Sequence, residues 1–163
     1  MTDLETVQRR KPNRLQGFNY ADAGAFFITI CTKDKQPLFS KITVGAAIGR
    51  PPEVALSDLG KIVEKTLLEI SAHYPDAFVD HYVIMPNHIH FLLRMDHGSG
   101  RPLAAPTVHQ IVNQFKGTVT KRAGTAVWQK GFHDHVVRDL YDYQIRWQYM
   151  DENPIRWSQK NDQ

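Results

Sequence analysis

A single cysteine stands among the 163 residues, so no internal disulfide can form; lying in the apolar run 25–31, Cys31 reads as a small buried hydrophobe. That usage fits a reducing compartment and predicts a cytoplasmic chain. Long hydrophobic runs are also missing. No window approaches the roughly 20 apolar residues of a membrane span, and residues 1–14 are polar with no apolar core of a signal peptide, so neither a membrane nor a secreted protein is expected. Internal repeats and low-complexity tracts are absent too, which excludes solenoids and tail-like segments. Carboxylates are missing between Asp96 and Asp134, where Arg101, Lys116, Lys121, Arg122 and Lys130 fall; a second basic group, Arg9, Arg10, Lys11 and Arg14, lies near the start. The net charge is only +3, so this clustering says more than the total about an anionic partner.

With 42% hydrophobic residues the chain can close one core, and the expectation is a single domain over 1–163 that begins with a basic arm over about 1–20. Residues 25–32 (AFFITICT) read as a strand. Residues 33–56 carry Pro37, Gly45, Gly49, Pro51 and Pro52, and are expected to be irregular. Ser57 is a candidate N-cap for a helix to about His73, with Leu59, Ile62, Val63, Leu67 and Ile70 on one face. Residues 77–85 and 88–95 predict an antiparallel hairpin turning at Pro86-Asn87. Thr107 to Gln110 has the pattern of a capping box opening a helix that Gly124 closes. Residues 127–137 suggest a strand region broken at Gly131, and a last helix from about Asp139 should stop at Asn153-Pro154. Strands and helices mix without a βαβ rhythm, which favours an α+β antiparallel sandwich.

On the second strand of the hairpin, alternation puts His88 and His90 on one face, with Ile89, Phe91 and Leu93 on the other. Two imidazoles on a rigid strand can reach one divalent ion, but two ligands are too few, and a further oxygen or nitrogen donor is needed. His-x-His strands also occur as mere surface pairs. His133-Asp134-His135 repeats the spacing without an apolar face beneath it and ranks second; His73, His81, His97 and His109 have no partner at ligand spacing. On the last helix Tyr149 and Asn153 are four residues apart and so adjoin. A phenol is a weak nucleophile in water, yet it can attack phosphorus where a cation neutralises the phosphate, and Asn153 could supply the missing ligand. The plain alternative is that Tyr149 packs with Tyr143, Trp147 and Met150 while Asn153 stops the helix.

The stretch Tyr82-Val83-Ile84-Met85-Pro86-Asn87-His88-Ile89-His90-Phe91 resembles the HUH signature of the single-tyrosine transposases, especially the REP-associated tyrosine transposases and their IS200-like relatives. Arg14-Leu15-Gln16-Gly17-Phe18-Asn19-Tyr20 and Gly24 to Thr32 look like that family's first block. Phe115-Lys116, Val127-Trp128-Gln129, Asp134 to Asp139, and Tyr149 with Asn153-Pro154 look like later ones, in the expected order. The resemblance implies a ferredoxin-like antiparallel β-sheet flanked by α-helices. It also implies a metal-dependent enzyme that cuts and rejoins single-stranded DNA at hairpin-forming palindromic (REP) repeats. Carried over, His88, His90 and Asn153 would bind Mg²⁺ or Mn²⁺, and Tyr149 would form a 5′-phosphotyrosine link. Arg14, Lys116, Lys121, Arg122, Lys130 and Arg138 are the expected DNA contacts, on a nucleoid-associated protein with no membrane partner; whether it forms a homodimer is left open.

Two other classes use similar residues. The histidine-triad nucleotide hydrolases continue the alternation to a third histidine, where this chain has Leu92. A DNA-hairpin-binding regulator of the same fold, silent in catalysis, is the remaining alternative; the intact His88, His90 and Tyr149 weigh against it.

Overall fold

Apolar residues on both faces of the central strands dictate layers above and below one sheet, and the computed structural model of the chain, which describes residues 24–44, 50–96 and 106–161, has that arrangement. Strand β1 (Gly24–Cys31) pairs antiparallel with both β5 (His88–Met95) and β6 (His133–Val136), and β4 (Ala77–Ile84) pairs antiparallel with β5, giving the order β4-β5-β1-β6. Helices α1 (Asp58–Leu68) and α3 (Val108–Ala123) connect these strands in the chain order β-α-β-β-α-β. That order and strand arrangement are ferredoxin-like, as the resemblance implied. A short helix α2 (Ile70–His73) follows α1, and the long α4 (Leu140–Asn161) ends the described chain. Among the described residues no helix is long and apolar enough to cross a membrane.

Cross-strand partners share a face, so the β1–β5 register sorts the side chains. Ile28 and Ile30, with Ile89, Phe91 and Leu93, turn to one side and pack against Val63, Leu67, Ile111, Phe115 and Val119 of α1 and α3. Phe27 and Leu92 turn to the other and pack against Tyr143 and Met150 of α4. Helix α4 therefore covers the face that carries His88 and His90.

Both predicted N-caps form. The Ser57 hydroxyl accepts from the Gly60 amide at 3.0 Å, and Thr107 and Gln110 exchange side-chain and backbone bonds in a capping box. Gly124 adopts φ 73°, the left-handed conformation that closes α3. Gly60 has a different reason to be glycine: a β-carbon there would lie 2.0 Å from the carbonyl oxygen of Phe39, where the chain before Ser57 crosses the start of α1.

Three expectations need correction. Residues 33–56 are not irregular throughout, because β2 (Ser40–Thr43) and β3 (Glu53–Leu56) pair antiparallel; Pro51 and Pro52 lie in their connection and break no strand. The helix after Ser57 is interrupted at Glu69, where the last amide bonds of α1 tighten toward Thr66 and Lys65. The strand region at 127–137 is broken about Gly131 as expected: Trp128 makes an isolated bridge to Thr32, and β6 begins at His133. Most consequentially, α4 runs through Pro154 for two further turns. A proline inside a helix costs about 3 kcal/mol through its missing amide and ring clash, and tertiary contacts on both sides of it offset that cost. Before it, His81 of β4 stacks on Trp147 with ring centroids 4.0 Å apart and bonds Asp151 at 2.8 Å; beyond it, Trp157 lies 6.3 Å from His88.

Candidate active site

The β1–β5 register sets Thr29 opposite His90 and Cys31 opposite His88, so all four side chains share the face beneath α4. The Thr29 hydroxyl lies 2.8 Å from Nδ1 of His90, and the Asn87 side-chain oxygen lies 2.7 Å from Nδ1 of His88. An amide oxygen only accepts, so His88 carries its proton on Nδ1 and keeps the Nε2 lone pair; in His90, too, Nε2 is the nitrogen left over. The rings stand 4.7 Å apart at 72°. His90 is 5% exposed. Burial, helped by repulsion from His88, pushes its imidazole down to about 3. Burial also lowers His88, with a hydrogen bond to Asn153 opposing the shift and the Lys35 charge adding to it. Both imidazoles are therefore neutral at pH 7, the state in which histidine binds a cation.

Tyr149 comes to this pair from its own chain. Its ring meets His90 edge-on at 5.5 Å and Phe27 at 6.0 Å, and the Arg156 guanidinium lies 5.4 Å from its centroid. Tyr149, Asn153 and Trp157 follow one another at four-residue spacing along one face of α4, with Arg156 and Lys160 beside them. Together with Thr29, Cys31, Lys35, Asn87, His88 and His90 they line a cleft of about 670 Å³. Among the described residues the cleft lining holds Lys35, Arg156 and Lys160 and no carboxylate, with Arg156 also paired to Glu152 at 2.9 Å, an electrostatic setting suited to a phosphodiester.

Among the described residues no group of three His, Cys, Asp or Glu is placed to hold a metal. A cation here would have two imidazole nitrogens and the Asn153 amide, which is 8% exposed and lines the same cleft as the pair. Neutral, oriented imidazoles beside a buried amide fit a small divalent ion with open positions.

The structure thus brings together His88, His90, Asn153 and Tyr149. The second-ranked pair is not gathered there: His133 is exposed on the edge strand, and His135 is bonded to Asp142 at 2.8 Å. Of the basic residues, Lys116 donates to the backbone carbonyls of Gln129 and Gly131 at 3.1 and 2.8 Å, and Arg122 pairs with Glu69 at 2.8 Å and with the Thr66 hydroxyl. Those two have intramolecular work. Lys121, Lys130 and Arg138 are exposed, and Arg14 lies outside the described residues. Lys35, Arg156, Trp157 and Lys160 escaped sequence reasoning because a helix stop at Pro154 hid the last three. Cys31 is only half-buried and lines the cleft, so it is not the core hydrophobe its sequence context suggested. His81, set aside for want of a ligand partner, is an anchor for α4.

A four-stranded ferredoxin-like sheet with a histidine pair on its central strand and a tyrosine helix docked over it defines a class for comparison. The structure of a REP-associated tyrosine transposase bound to a REP hairpin superposes with a TM-score of 0.60 over 82% of this chain and 67% of that one, at 17% identity. The fold is thus that of the single-tyrosine transposases. A Haemophilus influenzae (strain KW20/Rd) protein, itself described only as uncharacterized, is 32% identical over 94% of this chain and 92% of its own. The chain belongs to the same family as that protein. No protein-family model matches the sequence.

Proposed function

We propose that the chain is a metal-dependent single-stranded DNA endonuclease and strand transferase that cleaves beside hairpin-forming palindromic repeats through a 5′-phosphotyrosine intermediate. The observation that carries this reading is the meeting of Tyr149, Asn153, His88 and His90 within one subunit, in a cleft that carries Lys35, Arg156 and Lys160 and, among the described residues, no carboxylate. The hairpin bound by the structurally similar transposase is the model for the DNA partner.

His88, His90 and Asn153 would hold Mg²⁺ or Mn²⁺, which when bound neutralises charge on the scissile phosphate. The Tyr149 phenol oxygen attacks phosphorus, forming the tyrosyl ester as the bond to the 3′ oxygen breaks. The phenol proton passes to solvent, and the 3′ oxygen departs as a hydroxyl. One phosphodiester replaces another, so rejoining by a 3′-hydroxyl needs no nucleotide cofactor. Lys35, Arg156 and Lys160 attract and orient the strand, while Phe27 and His90 fix the phenol ring between them.

The test is to incubate the full chain and Mn²⁺ with end-labelled single strands that fold into hairpins with unpaired flanks, drawn from the host's own repeats. A protein–DNA adduct that survives denaturation is expected, lost in Tyr149→Phe while hairpin binding persists. An undiminished adduct in that variant would remove Tyr149 from its role. Hairpin binding with no adduct from the unaltered chain would instead establish a regulator.

A further inference from the structure

Beside the catalytic cleft lies a second groove of about 690 Å³, lined by Lys33, Asp34, Lys35, Ala126, Trp128, Gln129 and Lys130. Lys35 lines both, so the two depressions adjoin at that residue. We infer that this groove is a second nucleic-acid subsite, holding the unpaired DNA strand next to the scissile phosphate with a base on the Trp128 indole. The inference deepens the proposed function and rests on it for the identity of the strand.

Three features make the groove a built site. Its floor is fixed by backbone pairing: the Lys33 amide donates to the Val127 carbonyl and the Gln129 amide to the Cys31 carbonyl, both at 2.9 Å, with Trp128 bridged to Thr32. One wall is braced by Lys116, whose ammonium is spent on the carbonyls of Gln129 and Gly131 on either side of Lys130. The opposite wall turns through Asp34 and Lys35 at φ 56° and 53°, left-handed conformations uncommon for residues with side chains. Such strain persists where surrounding structure enforces it and tends to mark functional positions. Here the enforcement includes the Asn87 side chain, which donates to the Lys35 carbonyl while its oxygen orients His88, so one residue couples the turn to the histidine pair.

Trp128 suits a stacking role. Its indole N–H donates to the Lys116 carbonyl at 3.2 Å, and its ring packs on Phe39 and Phe115 with centroids 5.2 and 5.8 Å away, so the part that lines the groove is held rigid. Lys33, Lys35 and Lys130 are all exposed around it, against one carboxylate, Asp34, among the described residues of the lining. An aromatic platform ringed by lysines is how single strands are held without base-pair readout, the phosphates by charge and the base by its face. Trp157 lines the catalytic cleft and Trp128 the outer groove, the two depressions that share Lys35.

The experiment uses the full chain and a fluorescent hairpin with an unpaired flank. Lys33→Glu/Lys130→Glu is expected to weaken binding of the flanked hairpin at least about tenfold and to flatten its salt dependence by about 0.7 per lost phosphate contact. The equally charged control Lys61→Glu/Lys65→Glu, on the exposed side of α1, should leave both unchanged. Photocrosslinking from 5-iododeoxyuridine in the flank should map to the peptide containing Trp128. Equal losses in both variants, unchanged affinity and salt slope in the groove variant, or crosslinks that map only elsewhere would each overturn the inference, as would tighter binding of an RNA flank. Binding and crosslinking are read without cleavage, so loss of the adduct alone would sink the strand-transfer reading and leave the groove standing.

Discussion

Thr29→Val tests whether the hydroxyl opposite His90 sets up the candidate metal site or merely fills space. Valine has nearly the same shape as threonine but cannot hydrogen-bond, so the change deletes the 2.8 Å contact to Nδ1 and little else. In an imidazole only 5% exposed, an unpaired nitrogen is expected to cost about 1–3 kcal/mol. For a chain of this size that lowers Tm by about 2–4 °C per kcal/mol. The larger effect should fall on cation binding. A ligand histidine that loses the partner orienting its second nitrogen typically binds metal about 10–100-fold more weakly. Mn²⁺ titration followed by electron paramagnetic resonance, beside thermal unfolding of the same samples, separates the two effects. Thr29→Ser, which keeps the hydroxyl, should restore most of the Mn²⁺ affinity even where its lost methyl lowers Tm. Full Mn²⁺ affinity in Thr29→Val, or equal losses in the valine and serine variants, would refute the reasoning.

The depressed His90 value predicts a pH dependence of stability. Between about 3 and 6.5 the unfolded chain protonates this ring and the folded one does not. The unfolded state then binds more protons, so stability falls as pH drops below about 6.5, by up to about 1.4 kcal/mol per pH unit from this group. Urea unfolding at pH 7, 6 and 5 should show the loss, and His90→Phe should flatten it. Gly60→Ala should destabilise by about 1–3 kcal/mol or more, since the new methyl meets the Phe39 backbone, whereas Gly117→Ala, with open space around it, should be neutral or stabilising in the same urea assay. Lys116→Met should speed amide exchange across Gln129 to Gly131, because the two carbonyl bonds that tie this segment to α3 are gone; unchanged exchange there would mean the backbone pairing alone holds it.

The histidine pair was legible because strand alternation is a local rule: once residues 88–95 are a strand, His88 and His90 must share a face opposite Ile89 and Phe91. The caps at Ser57 and Thr107 and the stop at Gly124 were legible for the same reason, since each depends on its own next few residues. The end of α4 was not. Read locally, Pro154 stops a helix; in the fold, Trp147 on His81 and Asp151 bonded to the same ring hold the helix to the sheet before the proline. Past it, Arg156, Trp157 and Lys160 complete the cleft.

Charge was only partly legible for a related reason. The carboxylate-free stretch after Asp96 is basic in sequence, yet Lys116 is turned onto backbone carbonyls and Arg122 onto Glu69, a residue far from it in the chain. A sequence counts cations and cannot say which are already engaged by carbonyls or paired with carboxylates.

By itself, then, the sequence determined which side chains alternate, where helices begin, and that two imidazoles and a phenol were present at chemically meaningful spacings. Tertiary structure decided that these groups meet in one subunit, that burial favours the neutral form of both imidazoles, and which lysines and arginines face the cleft. The physical reason is range: backbone sterics and capping act over a few residues. Desolvation and the pairing of charges depend on which surfaces the fold presses together.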